Sequence, residues 1–255
     1  MPRRRSTRRR RRRGSIGPFL RVLSVLLMAV AIVAALTLFF KVDQIVVSGN
    51  SRYTEAEILA ATGVERGDNL ILLDKYGIAK RLYTDLPYIT NVRINPKLPD
   101  VLMVEVTEAR AVAALEEGGS WWLISSGGKL LEAVEAGDAQ DYLLVRDVGL
   151  QDPKTGGEIS LGEESRLSTQ RLLELLGALE ERDMLNRADS VSAGDADHLT
   201  LEYDGRFQVE MHYDADFAYK LNCLAAAIAE LEPNESGIIR MTMKDDNEVR
   251  FIPYQ

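Results

Sequence analysis

The hydrophobic positions of this chain change period several times, and each change marks an element. Val22–Phe40 is a run of 19 residues without a charge; as a helix rising about 1.5 Å per residue it is about 28 Å long, the thickness of a bilayer's hydrocarbon core. A cleaved leader is the competing reading, but the run exceeds a usual leader's apolar core and Phe39-Phe40-Lys41 offers no small-residue cleavage site. The pattern predicts an uncleaved membrane helix. Past Lys41 the period drops to two: Ile45 and Val47 share one face of a strand over Val42–Val47, which stops at the turn pair Gly49-Asn50. Thr54 and Glu57 then form a capping box ahead of Ile58-Leu59, in a helix that Gly63 ends. Asp74 caps a second helix with Ile78, Leu82 and Leu86 four apart, terminated by Pro87. Val92 and Ile94 alternate in the next strand, residues 95–100 read as a Pro-rich turn, and Leu102, Val104 and Val106 face inward from a further strand whose Met103, Glu105 and Thr107 face out. This β-α-α-β-β order is too compact for a nucleotide-binding βαβ unit.

The second half alternates short strands with two helices, so the fold class is α+β. Ala111–Leu115, Trp121–Ile124 and Lys129–Ala133 are separated by Gly-rich turns at 117–120 and 125–128, and form consecutive hairpins. A strand follows at Tyr142–Val145, and Asp147–Glu163 reads as a loop with turn signals at Asp152-Pro153 and Gly156-Gly157. Leu172, Leu175, Leu176 and Leu179 mark an amphipathic helix, with strands near Asp189–Ser192, Leu199–Tyr203 and Phe207–Met211. A second helix over Asp216–Leu231 carries Phe217, Leu221, Leu224, Ile228 and Leu231 on one face. Ile238–Met243, a turn at 244–247 and Glu248–Ile252 close the chain as a hairpin. A strand in that terminal position falls at a sheet edge, where unpaired backbone groups accept a strand from another chain.

Charge divides the chain sharply. Ten of its 31 basic residues are arginines within Met1–Arg21, a segment without Asp or Glu, which leaves 21 basic against 39 acidic residues from Val22 on, a net charge of −18. The arginines hold the N-terminus in the cytoplasm and send the acidic body across the membrane, a type II topology. They also favour anionic lipid at about 1 kcal/mol each near the surface. A twin-arginine export signal is disfavoured by the homopolymeric run and by the length of the apolar segment. So acidic a body repels phosphate backbones, which excludes a nucleic-acid partner outside the tail.

Catalytic patterns were sought and are missing. Neither the Gly-x-Ser-x-Gly elbow nor a P-loop is present. One cysteine, Cys223, excludes an internal disulfide and a Cys-based zinc cluster, and its place between Leu221 and Leu224 predicts a buried structural thiol. Asp195-x-Asp197-His198 reads as a turn between strands rather than a metal site, and Asp245-Asp246-Asn247 lacks the rest of a calcium loop and reads as a hairpin tip. Trp121 and Trp122 point to opposite strand faces, one into the core and one outside. The expectations are no catalytic residue, no cofactor, no metal and no small-molecule substrate.

Several stretches resemble a known family: Val42-Asp43-Gln44-Ile45-Val46-Val47-Ser48-Gly49-Asn50, Gly63-Val64 with Gly67-Asp68-Asn69-Leu70, Leu98-Pro99, and Glu108 followed by Ala111-Val112-Ala113. In order and spacing, just after a basic tail and one membrane helix, they are similar to the extracytoplasmic POTRA domain of the FtsQ division proteins of bacteria, called DivIB in Gram-positive species. Ala111 departs from a usual proline and Ser125 from a frequent aspartate. The resemblance implies a cytoplasmic tail (1–21), a transmembrane helix (22–40), a POTRA domain (41–110) and a β domain (111–255). It implies a non-catalytic scaffold at the division septum, in the cell membrane, whose β domain recruits FtsL-like and FtsB- or DivIC-like coiled-coil proteins and which contacts the machinery of septal peptidoglycan synthesis. By order along the chain it places the partner site at Met243, where an aromatic is usual, with Asp246 and Asn247 in the turn and Val249 and Phe251 on the last strand. The alternative is a POTRA protein of export or envelope assembly, but such chains continue into a barrel or lack the anchor.

Overall fold

A computed structural model describes residues 16–241 and 249–254. The apolar run lies in helix α1 (Ile16–Phe39), which begins six residues before the expected Val22. Within it Phe19–Thr37 is long and apolar enough to cross a membrane, and that stretch has no side chain buried against the rest of the protein.

Next comes a three-stranded sheet in the order β1-β3-β2, formed by β1 (Gln44–Ser48), β2 (Ile89–Lys97) and β3 (Val101–Glu108). β1 runs parallel to β3 and β2 antiparallel to it. Helices α2 (Glu55–Thr62) and α3 (Lys75–Asp85) cover one face, and Ile58, Ile78, Leu82, Leu102, Val104 and Val106 make the core between them. The local signals read from the sequence operate here. The Thr54 hydroxyl accepts the Glu57 amide, the Glu57 carboxylate accepts the Thr54 amide, and Gly63 ends α2 in the left-handed region at φ 61°. Gly49 is obligatory for a different reason: a Cβ there would lie 2.1 Å from the Val106 carbonyl oxygen.

One boundary differs. The expected Pro-rich turn at 95–100 starts three residues late, because Asn95-Pro96-Lys97 continue β2, with Pro96 opposite Leu102. A proline lacks the amide a central strand requires, but β2 is an edge strand and tolerates it.

The rest of the described residues form one nine-stranded mixed sheet that takes in the expected consecutive hairpins. Its strands are β4 (Ala113–Glu117), β5 (Ser120–Ile124), β6 (Leu130–Val134), β7 (Leu143–Arg146), β8 (Ala188–Ser192), β9 (His198–Tyr203), β10 (Phe207–His212), β11 (Gly237–Met241) and β12 (Arg250–Pro253), in the order β12-β11-β10-β9-β8-β7-β4-β5-β6. Three neighbouring pairs are parallel, β10 with β11, β4 with β7 and β7 with β8. A short helix α4 (Ala136–Ala139), not anticipated from the sequence, precedes β7. The long helices α5 (Thr169–Glu181) and α6 (Phe217–Glu230) cover one face, with Leu172, Leu175, Leu176, Leu179, Leu221 and Leu224 fully buried against the sheet. The stretch expected as a plain loop over Asp147–Glu163 is pinned to that core: Leu150, Ile159 and Leu161 are buried, and Leu150 bridges Leu161.

Neither tryptophan is wholly in or out. Both are half-buried, Trp122 against the main core and Trp121 against a small cluster where the two sheets meet, because each face of β5 has its own cover. At that junction the Tyr88 hydroxyl donates to Glu132 (2.5 Å), Arg52 pairs with the same carboxylate (2.9 Å) and lies 3.8 Å over the Tyr88 ring, and Lys129 Nζ donates to the Ile89 carbonyl (2.7 Å). Next to it, Glu108 gathers the amides of Ser51, Arg52 and Tyr53 and the Ser51 hydroxyl. Burial alone would raise the Glu108 carboxyl, but these hydrogen bonds outweigh it and hold the group below its ordinary range. A carboxyl depressed on folding stabilises fully above its unfolded pKa of about 4.3 and loses that contribution as pH falls through the lower folded value. Urea unfolding of wild type and Glu108→Gln should therefore differ most near neutral pH, with wild type the more stable, and converge in acid. Curves that stay parallel would remove the carboxylate from this role.

Candidate functional site

The site develops at the β12 end of the large sheet. Asp216 caps α6 by accepting the Tyr219 amide, and Phe217, Leu221 and Leu224 sink into the core. The same apolar stripe continues to Ile228 and Leu231, but these are only half-buried, because the sheet beneath the last turn ends at β12. The result is a shallow groove of about 360 Å³ between α6 and the strand edge, lined by Cys223, Ala227, Leu231, Ile239, Val249 and Phe251 among others. Cys223 is thus not the buried thiol expected. It is half-exposed on the groove wall, where it hydrogen-bonds Tyr219 and raises that phenol.

β12 is held firmly on its inner side. It pairs antiparallel with β11, Ile239 opposite Phe251 and Gly237 opposite Pro253. Phe251 packs edge-on against the buried Phe207 ring, centroids 6.3 Å apart. Arg206 donates to the carbonyls of Glu232 and Glu235 and so ties the α6–β11 connection to β10. On the opposite face the buried Glu210 meets Arg240 Nε at 2.6 Å, which braces β10 against β11.

Among the described residues no strand pairs with the outer side of β12, and its alternation can be assigned. The Tyr254 amide donates to the Ser236 carbonyl, so residues 254, 252 and 250 direct their main-chain groups toward β11 and Phe251 directs its amide and carbonyl outward. Val249 continues that outward series. Pro253 offers only a carbonyl, which limits pairing at that end. Of the five residues proposed from the sequence, Val249 and Phe251 lie together on this edge and line the groove; Met243, Asp246 and Asn247 lie outside the described residues, as does the hairpin tip expected at 245–247. The expected hairpin partners meet through β11 and β12; β12 begins at Arg250, and Glu248 lies outside the described residues. Sequence reasoning missed Leu231, Ile239 and Gly237. The unspent apolar positions at the end of the α6 stripe were the available signal.

Among the described residues no group of three or more His, Cys, Asp or Glu side chains is placed to hold a metal ion. The Asp195–His198 stretch is the expected turn, with Asp195 accepting the Asp197 amide (2.9 Å) and lying 3.0 Å from His198 Nδ1.

The family model for the FtsQ-type POTRA domain matches residues 40–109. The cell division protein FtsQ of Syntrophotalea carbinolica is 28% identical over 214 residues, 81% of this chain and 73% of that protein. FtsQ of Geotalea daltonii is 25% identical over 75% of this chain and 61% of its own length, and DivIB of Clostridium acetobutylicum 29% identical over 48% of each. The solved major extracytoplasmic domain of the trans isomer of DivIB from Geobacillus stearothermophilus is 18% identical, with half of this chain aligned to 98% of that one at a TM-score of 0.32. The segment that matches the FtsQ-type POTRA domain stands between an apolar helix and a mixed sheet. Over most of its length the chain is similar to bacterial cell division proteins named FtsQ and DivIB.

Proposed function

We propose that this protein is a non-catalytic, single-pass scaffold of the division machinery, and that the open edge of β12 is where it captures a partner strand. The observation that carries this reading is the FtsQ-type POTRA match directly after the one apolar helix. The open β12 edge beside a half-filled groove supports the docking role. The partners are FtsL-like and FtsB- or DivIC-like coiled-coil proteins, and the assembly brings them to the septal peptidoglycan synthesis machinery outside the membrane. The organisation follows the sequence: residues 1–21 in the cytoplasm, 22–40 across the cell membrane, 41–110 as the POTRA domain and 111–255 as the β domain. Such work uses binding energy alone and takes neither cofactor, nucleic acid nor small-molecule substrate.

Depleting the protein should produce filamentous cells. A secretion or envelope-assembly defect without filaments would favour the export alternative instead. The orientation has its own check: on intact cells a cysteine placed at Ser120 should react with an impermeant thiol reagent and one at Ser6 should not, and the reverse pattern would overturn it.

A further inference from the structure

Outside α1, three aliphatic side chains among the described residues are more than half exposed: Ile71 (51%), Leu72 (72%) and Leu98 (57%). All three sit at the end of the POTRA domain where α1 joins it. The segment after α2 is zipped onto the chain leaving the helix. Val42 donates to the Asp68 carbonyl, Gly67 to the Val42 carbonyl and Leu70 to the Phe40 carbonyl (2.8, 2.8 and 2.9 Å), and the Asn69 side-chain amide donates to the carbonyl of Thr37 (3.1 Å), the last residue of the apolar span. Asn69 also accepts the amides of Ile71 and Leu72 on its side-chain oxygen, and its carbonyl accepts the Leu72 amide. Leu72 thus stands one β-turn, less than about 7 Å, from a residue at the boundary of the span. The headgroup layer is about 5–8 Å deep on each side of a bilayer. Leu98 reaches the same level from the other strand pair, two residues before Asp100, whose carbonyl accepts the amides of Asp43 (2.9 Å) and Gln44 (3.3 Å).

Turns ordinarily carry Gly, Asn, Asp or Ser. Here the turn reads Asn69-Leu70-Ile71-Leu72-Leu73; Leu70 is spent on the core and Leu73 half-buried against it, while Ile71 and Leu72 stay more than half exposed. An exposed apolar cluster needs a partner, and continuity with α1 says which one. The opposite end of this domain, at Arg52, Tyr88 and Glu108, is occupied by the β domain and its junction.

We infer that Ile71, Leu72 and Leu98 form a lipid-docking face that dips into the outer headgroup boundary and fixes the POTRA domain against the membrane. This rests on the reading that α1 spans the bilayer. The three side chains are apolar, so the contact they make is one of hydrophobic burial, and the nearby carboxylates of Asp68 and Asp74 are held in local turns by the Glu65 and Gly77 amides. It sets the height at which the body, and hence the β12 edge, is presented.

The test uses the full chain with Cys223→Ser, reconstituted without other proteins in vesicles of phosphatidylethanolamine and phosphatidylglycerol. Nitroxide labels are placed singly at Val33, Leu72, Leu98 and Glu116, and collisions with oxygen and with a water-soluble nickel complex are compared. Labels at Val33, Leu72 and Leu98 should favour oxygen, the one at Glu116 nickel, and raising the salt should change none of them. Leu72→Asn should shift the docking equilibrium read at Leu98 by about tenfold, the scale of one buried leucine. If Val33 lies in lipid while Leu72 and Leu98 behave like Glu116, the inference is overturned and the anchor reading survives. If Val33 too favours nickel, both fail. A label at Leu98 indifferent to Leu72→Asn would overturn the claim that the two turns form one face.

Discussion

Truncation after Asp246 should abolish capture of the coiled-coil partners, and Phe251→Asp should weaken it by at least about 2 kcal/mol, roughly thirtyfold. The truncation removes β12, whose outer backbone groups are the proposed docking template and which pairs with β11 at Ile239. The substitution keeps the backbone but sets a carboxylate against the Phe207 ring and into the groove, where it is both desolvated and unpaired. Pull-down from membranes measures both variants, and urea unfolding reports whether each is still folded. A truncated protein that stays folded and retains its partners at undiminished yield would disprove edge pairing. The docking surface would then have to be sought on Asp216–Leu231 or on the POTRA domain.

Gly237→Ala should produce the same binding defect from the buried side of the hairpin. A Cβ on Gly237 would lie 2.2 Å from the Ile252 carbonyl oxygen and 2.8 Å from Pro253 Cα, both backbone atoms that move only if β12 moves. Overpacking of this kind costs about 1–3 kcal/mol, seen as a lower urea midpoint, and here the relief is displacement of the strand. Combined with truncation after Asp246 the alanine should have no further effect, since the atoms it strikes are gone. An alanine variant with full stability and full partner capture would show that the close β11–β12 approach does not govern the site.

Much of this protein was legible in the chain itself, wherever a feature depends on neighbours a few residues apart. The apolar run, the Thr54–Glu57 capping box, the Gly49 turn, the inward faces of β3 and α6 and the terminal position of the last strand all follow from local stereochemistry and the periods 3.6 and 2. What depends on contacts across the fold was decided only by the tertiary structure. Pro96 belongs to a strand because β2 is an edge, and Cys223 is half-exposed because the sheet stops beneath the last turn of α6. The short hairpins join into one nine-stranded sheet through parallel pairings of residues far apart in sequence, such as Ala113 with Leu143 and Leu144 with Ser190, which leave no periodic trace. The same holds for the turns at Leu72 and Leu98: each looks like an ordinary apolar position until the fold brings them to one end, beside the apolar helix α1, where both stay more than half exposed among the described residues.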